Sequence, residues 1–163
     1  MVEVTPSGRT EFDDVQEKRS NKSISIFLAG TIDNGSSNNW QKELVEELVM
    51  RGNLPSLTIY NPRRDDWPSD ASANEVKRQI YWEAAKLDEC DYIFMFLEDS
   101  SKSPISLLEL GLYAESKKLH VFFTDNFYRC HNVEITCKKH YIPYVKTNDI
   151  KEVAEYIYNI IKK

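Results

Sequence analysis

Ser106-Leu107-Leu108-Glu109 is the stretch of this 163-residue chain that most invites a chemical reading. Serine followed three residues later by glutamate is the pattern of a capping box, in which the two side chains satisfy backbone N–H groups at a helix start. The same glutamate, set in a first helical turn facing a crevice, would be held ionised by the helix dipole. An ionised, positioned carboxylate is a nucleophile. On spacing alone, both uses of Glu109 stay open.

Other candidates are weaker. Gly30-Thr31-Ile32-Asp33-Asn34-Gly35 has a glycine at each end but neither the dinucleotide-binding glycine pattern nor the lysine of a phosphate-binding loop, so nicotinamide and ATP chemistry are disfavoured. Gly30 either lets backbone approach a ligand closely or makes a tight turn. Cys130, His131, Cys137 and His140 form no C-x-x-C pair and suit no common zinc module, so neither a metal nor any other cofactor is expected. Arg63-Arg64-Asp65-Asp66-Trp67-Pro68 is too polar and proline-rich for helix or strand and reads as a surface loop, whose indole can stack on a flat ring.

These residues need elements to position them. Residues 1–22 lack apolar periodicity and read as a mobile tail, with one domain over 23–163. Apolar runs predict strands over Ile24–Leu28, Leu57–Tyr60, Tyr92–Leu97 and Leu119–Phe123. Helical spacing predicts helices from Trp40 to Gly52, from Asn74 to Asp88 with Val76, Ile80, Ala84 and Leu87 inward, and from Asp149 to Ile161, and Ser103-Pro104-Ile105-Ser106 introduces another that ends near Lys117-Lys118. Alternating strands and helices imply a single-domain, doubly wound α/β sandwich with a mainly parallel sheet of about five strands, flavodoxin-like or Rossmann-like. Ligands in such sheets bind beyond the carboxyl ends of the strands, which gathers Ala29-Gly30, Asn61 to Trp67 and Glu98 to Ser106 around one crevice.

Phe27-Leu28-Ala29-Gly30, Asp91-Tyr92-Ile93, and Ser103-Pro104 leading into Glu109-Leu110-Gly111 together resemble the nucleoside 2-deoxyribosyltransferase superfamily, over about Ser23 to Val145. The resemblance implies that Glu109 attacks the anomeric carbon and forms a glycosyl-enzyme ester. It sets Glu83, eight residues before Asp91, at the place of the family's second acidic residue, where an aspartate is usual. Asp66 and Trp67 fall where the family recognises the base. Asp91 matches a substrate-side position, although a strand entrance also suits an aspartate that bonds backbone. Ser103 stands six residues before Glu109, where the transferases have a substrate-contacting aspartate. Related deoxynucleoside 5′-monophosphate N-glycosidases have a phosphate-contacting serine there. Asp33 would oppose a phosphate unless Arg63, Arg64 or Arg129 offsets it. Asn132 is similar to an asparagine that reaches into a neighbouring subunit's site, which implies a homo-oligomer.

The partner expected is therefore a small nucleoside or nucleotide, with N-glycosidic bond cleavage or transfer as the reaction. A nucleotide-binding module without turnover is the alternative. Polymeric nucleic acid is not expected, because the 26 acidic and 21 basic residues give a net charge of −5 with no basic stripe. No apolar stretch is long enough to cross a bilayer. Three cysteines without a disulfide framework, and no signal-like segment, place the chain in the cytoplasm.

Overall fold

Six parallel strands form one sheet in the computed structural model, which describes residues 1–6, 23–32, 37–54, 56–64, 68 and 70–162. The elements in chain order are β1 (Val2–Val4), β2 (Ile24–Gly30), α1 (Trp40–Arg51), β3 (Leu57–Tyr60), α2 (Ala73–Glu89), β4 (Tyr92–Phe96), α3 (Pro104–Tyr113), β5 (Leu119–Phe123), α4 (Cys130–His140), β6 (Tyr144–Lys146) and α5 (Ile150–Ile161). The strand order is β1-β3-β2-β4-β5-β6. Without the edge strand β1 this is the flavodoxin-like order, and the winding reverses between β2 and β4.

Helices cover both faces, and strand side chains alternate between them. Ile93 and Met95 of β4 enter a core with Phe27, Trp82, Leu110, Val121 and Val133, beneath α2, α3 and α4. Phe94 and Phe96 of the same strand enter the other core, with Ile26, Trp40, Leu44, Leu48, Val153 and Ile157 of β2, α1 and α5. Continuous apolar runs in the central strands follow from burial on both sides. Among the described residues no helix is long and apolar enough to cross a membrane.

Several expectations need correction. Val2–Val4 is not tail but an edge strand paired in parallel with β3, and Asn61 seals the join by donating from its N–H to Val4 O (2.9 Å) and from Nδ2 to Glu3 Oε1 (2.8 Å). Residues 7–22 of the expected tail lie outside the described residues. The sheet has six strands where about five were expected, because β1 and β6 join the four placed from the sequence. The inward stripe of α2 is Trp82, Lys86 and Leu87, whereas Val76 and Ile80 are exposed. Two polar residues explain the rotation, because α2 turns Gln79 and Glu83 toward a cavity.

The capping box belongs to α2, not α3. Ser72 Oγ accepts from Glu75 N (3.3 Å) while Glu75 Oε2 accepts from Ser72 N (2.8 Å). Helix α3 starts earlier than Ser106, at Pro104, with Ser103 as an N-cap that makes no side-chain cap bond. Proline is preorganised for a first helical position and lacks the N–H that would be orphaned there.

Candidate active site

At the point where the winding reverses, Gly30 ends β2 with φ 131°, and a Cβ there would sit 2.0 Å from Phe96 O of β4. Thr31 N–H donates to the same carbonyl at 3.0 Å. Only glycine allows both the backbone angle and the close approach. Beside this contact a cavity of about 330 Å³ opens on the α2–α3 side of the sheet. Phe27, Ala29, Gly30 and Ile32 form one wall, Pro62 and Arg64 follow β3, Gln79 and Glu83 come from α2, and Ser103 to Ser106 with Glu109 come from α3.

A chain of hydroxyls joins the loops around the mouth. Glu98 N–H donates to Thr31 Oγ1 (3.0 Å), which lies 2.6 Å from Ser103 Oγ. Ser103 Oγ donates to Ser101 Oγ at 3.2 Å, and Ser103 N–H reaches the same oxygen at 3.0 Å. These bonds hold Ser103 in the left-handed region, φ 42°, just before the proline that disfavours a right-handed helical conformation for it. Ser103 lines the cavity, yet its hydroxyl is already engaged on the loop side.

Glu109 is the sixth residue of α3, past the first turn where the helix dipole acts. Burial raises its pKa to about 8, and the charge of Glu83 adds to the rise. The expectation that the helix dipole holds Glu109 ionised does not fit this position: it lies past the first turn, and burial favours its acid form. Glu83 is raised as well, by burial, against a hydrogen bond from Gln79 that lowers it. Both carboxyls are thus pushed toward the neutral form by burial, and the charge of Glu83 disfavours a second charge on Glu109.

A family model described as nucleoside 2-deoxyribosyltransferase like matches residues 23–127, which spans β2 to the end of β5 and both carboxyls. The chain belongs to this family. No curated protein matches its sequence. Among the solved structures that share the fold are these two. One is a conserved protein from Enterococcus faecalis V583, with TM-score 0.61 and 13% identity over 85% of this chain and 99% of that one. The other is the CMP N-glycosidase BcmB of Clostridium botulinum, with TM-score 0.50 and 18% identity over 82% of this chain and 97% of that one.

Of the residues that family resemblance selects, the structure brings Glu109, Glu83, Ser103 and Gly30 together in the cavity. It does not bring Asp91. That carboxylate lies at the amino end of β4, the opposite edge of the sheet, where Oδ2 accepts from Ser25 N (2.7 Å) and Ser25 Oγ (3.0 Å). Asp91 is a clamp between β2 and β4, and its substrate-binding assignment is withdrawn. Asn132 is not in the cavity either. It lines a separate groove of about 520 Å³ with Leu107, Gly111, Arg129 and Thr136, between α3 and α4. Asp33, Asp66 and Trp67 lie outside the described residues.

The arginines divide. Arg63 is buried and spends its guanidinium on Ser37 O (2.6 Å), Asn38 O (2.7 Å) and Gln41 Oε1 (3.2 Å), tying the loop after β3 to the start of α1. Arg129 stacks on Tyr128 beside the second groove. Arg64 alone of the three lines the cavity. Cys130 and Cys137 are buried on the inner side of α4, and burial lifts the Cys90 thiol to about 12, so all three thiols are core residues.

Gln79, Arg64 and Ser106 are cavity residues that the motif search left unassigned or weakly assigned. Gln79 was within reach: it stands one turn before Glu83 on α2, the spacing at which helical neighbours touch. Ser106 is buried and lines the cavity from α3.

Proposed function

We propose that this chain cleaves or transfers the N-glycosidic bond of a nucleoside or nucleotide through a glycosyl ester on Glu109. The observation that carries the reading is the pairing of Glu109 with Glu83 in one cavity at the reversal of the sheet. A retaining displacement needs one carboxylate to attack C1′ and one acid to protonate the departing base. A pair that shares one proton holds both functions, once the proton has passed from Glu109 to Glu83. Glu109 then forms the C1′–O bond as the C1′–N bond breaks, and the proton of Glu83 follows the base. Water or a second base, deprotonated by Glu83, next attacks C1′ and releases Glu109. The cavity is at the lower end of the roughly 300–1,000 Å³ usual for small-molecule sites, and its mixed apolar and polar wall suits one nucleoside. This chemistry calls for no cofactor.

A 5′-monophosphate substrate, hydrolysed rather than transferred, is the second reading. Arg64 in the wall and the start of α3 beside Ser103 and Ser106 favour it, because a helix start and a guanidinium both suit an anion. The relative BcmB is named a CMP N-glycosidase, which agrees. The chain is further read as a cytoplasmic homo-oligomer, with exposed Leu108, Leu112 and Ile135 near the groove of Asn132 as its contact surface. The test is incubation with nucleosides and 5′-monophosphates, with and without a second free base, followed by chromatography of the products. New nucleoside identifies a transferase, and free base with sugar or sugar phosphate a hydrolase. Binding without any turnover, unchanged in Glu109→Gln, would leave a nucleotide-binding module.

A further inference from the structure

Gln79 stands between a backbone carbonyl and a cavity carboxyl. Its Nε2 donates to Pro62 O at 2.8 Å and to Glu83 Oε1 at 2.7 Å. A carbonyl oxygen can only accept, so the contact with Pro62 settles which end of the amide faces the cavity carboxyl. Both amide hydrogens are committed. Gln79 Oε1 is left buried with no partner among the described residues. Turning the amide over would bring Oε1 against Pro62 O and against an ionised Glu83, so the fold accepts an unpaired acceptor to keep the donor in place.

A donor fixed on Glu83 favours its charged form, whereas no such donor reaches Glu109 among the described residues. We propose that Gln79 is the positioning residue that decides where the pair's single proton resides, holding Glu83 as carboxylate and leaving Glu109 as acid in the empty site. In its catalytic consequence this rests on the glycosyl-transfer reading: the attack by Glu109 then requires the proton to move to Glu83, against the preference Gln79 imposes. The bond to Pro62 makes that preference depend on the loop after β3, the same loop that presents Arg64. The charged and titratable groups facing the pair are Arg64 from that loop and Tyr113 from α3, whose hydroxyl bonds Asp88 at 2.7 Å.

The experiment is a pH titration of the glutamate side-chain carboxyls by carbon NMR, with Glu83→Gln and Glu109→Gln supplying assignments. In the wild-type protein Glu83 should ionise first and Glu109 later. In Gln79→Met, which keeps length but not the donor, the Glu83 midpoint should rise by about one unit or more, and the Glu109 signal should move in the earlier step too. Gln79→Asn, one methylene short, should act in the same direction if the Met variant does not fold. Glu109 ionising first in the wild-type protein, or unmoved curves in a folded Gln79 variant, would overturn the proposal. If turnover is found, the pH profile of kcat in Gln79→Met should shift with KM little changed. The titration needs no substrate, so the two ideas separate. Shifted curves without any turnover uphold Gln79 and end the glycosyl reading. Turnover with unshifted curves ends the role of Gln79.

Discussion

Each face of the sheet buries a titratable centre, and the two differ in what they open onto. On the α2–α3 face, Glu83 and Glu109 line a cavity. On the α1–α5 face, His120 of β5 is enclosed by Tyr92, Phe94 and Tyr156, with Nδ1 2.9 Å from Tyr156 Oη, and burial lowers its pKa to about 4. Burial perturbs both centres strongly, in the direction that favours the neutral form. A shifted pKa therefore marks desolvation rather than function. What separates the carboxyl pair from the histidine is access, since the pair lines a cavity whereas the histidine is closed in by aromatic rings.

The largest effect should come from Glu109→Gln, which removes the attacking oxygen while keeping side-chain volume. Turnover of the best substrate should fall by about three orders of magnitude or more, with thermal unfolding little changed at pH 5. Retained activity would reduce the cavity face to the status of the histidine face. Next comes Gly30→Ala, which sets a methyl against the Phe96 carbonyl in a backbone region that alanine avoids. It should cost about 3 kcal/mol or more in urea denaturation.

Stability against pH should distinguish the faces with opposite signs. Glu109, raised from 4.5 to about 8, contributes stability fully below pH 4.5 and loses it as pH rises toward 8. His120, lowered from 6.5 to about 4, contributes above pH 6.5 and loses it as pH falls toward 4. Glu109→Gln should therefore gain on the wild-type protein as pH climbs from 4.5 to 8, and His120→Gln should lose its deficit, relative to wild type, as pH drops from 6.5 to 4. Parallel stability curves for a variant and the wild-type protein over its window would refute that assignment. The smallest effect belongs to Ser72→Ala, which opens the capping box of the helix that holds Glu83 and should cost about 1 kcal/mol with kcat nearly intact.

Much of this architecture was legible in the chain. The apolar runs of β2, β4 and β5 and the period of α5 are signals strong enough to define a doubly wound sheet. The edges were not legible, because β1 and β6 are three residues each and become strands only beside β3 and β5. Helix α4 was hidden by its chemistry: Cys130, Val133 and Cys137 fall at core spacing, but paired with histidines the cysteines draw attention as ligands. The serine–glutamate spacing at 106–109 misled for a related reason, since the same spacing occurs inside a helix, and Pro104 was the better marker of the start. Family likeness pointed to Glu109 and Glu83, which the structure sets in one cavity, but not to their ionisation. That property depends on the solvent each loses and on the Gln79 amide, neither of which one-dimensional spacing contains.

The Gly30–Phe96 contact has a meaning for how such a site can change. Because Gly30 lines the cavity with its backbone pressed against the Phe96 carbonyl, that part of the wall is set by main chain rather than by a side chain. Ile32 and Arg64 line the cavity from segments other than those that carry Glu83 and Glu109, so the wall and the carboxyl pair are separable parts. An engineer recasting this cavity for another ligand would leave Gly30, Gln79, Glu83 and Glu109 untouched and randomise the wall between them. Evolution, working on the same scaffold, has the same freedom: a fixed seam in the main chain, and around it a set of replaceable tiles.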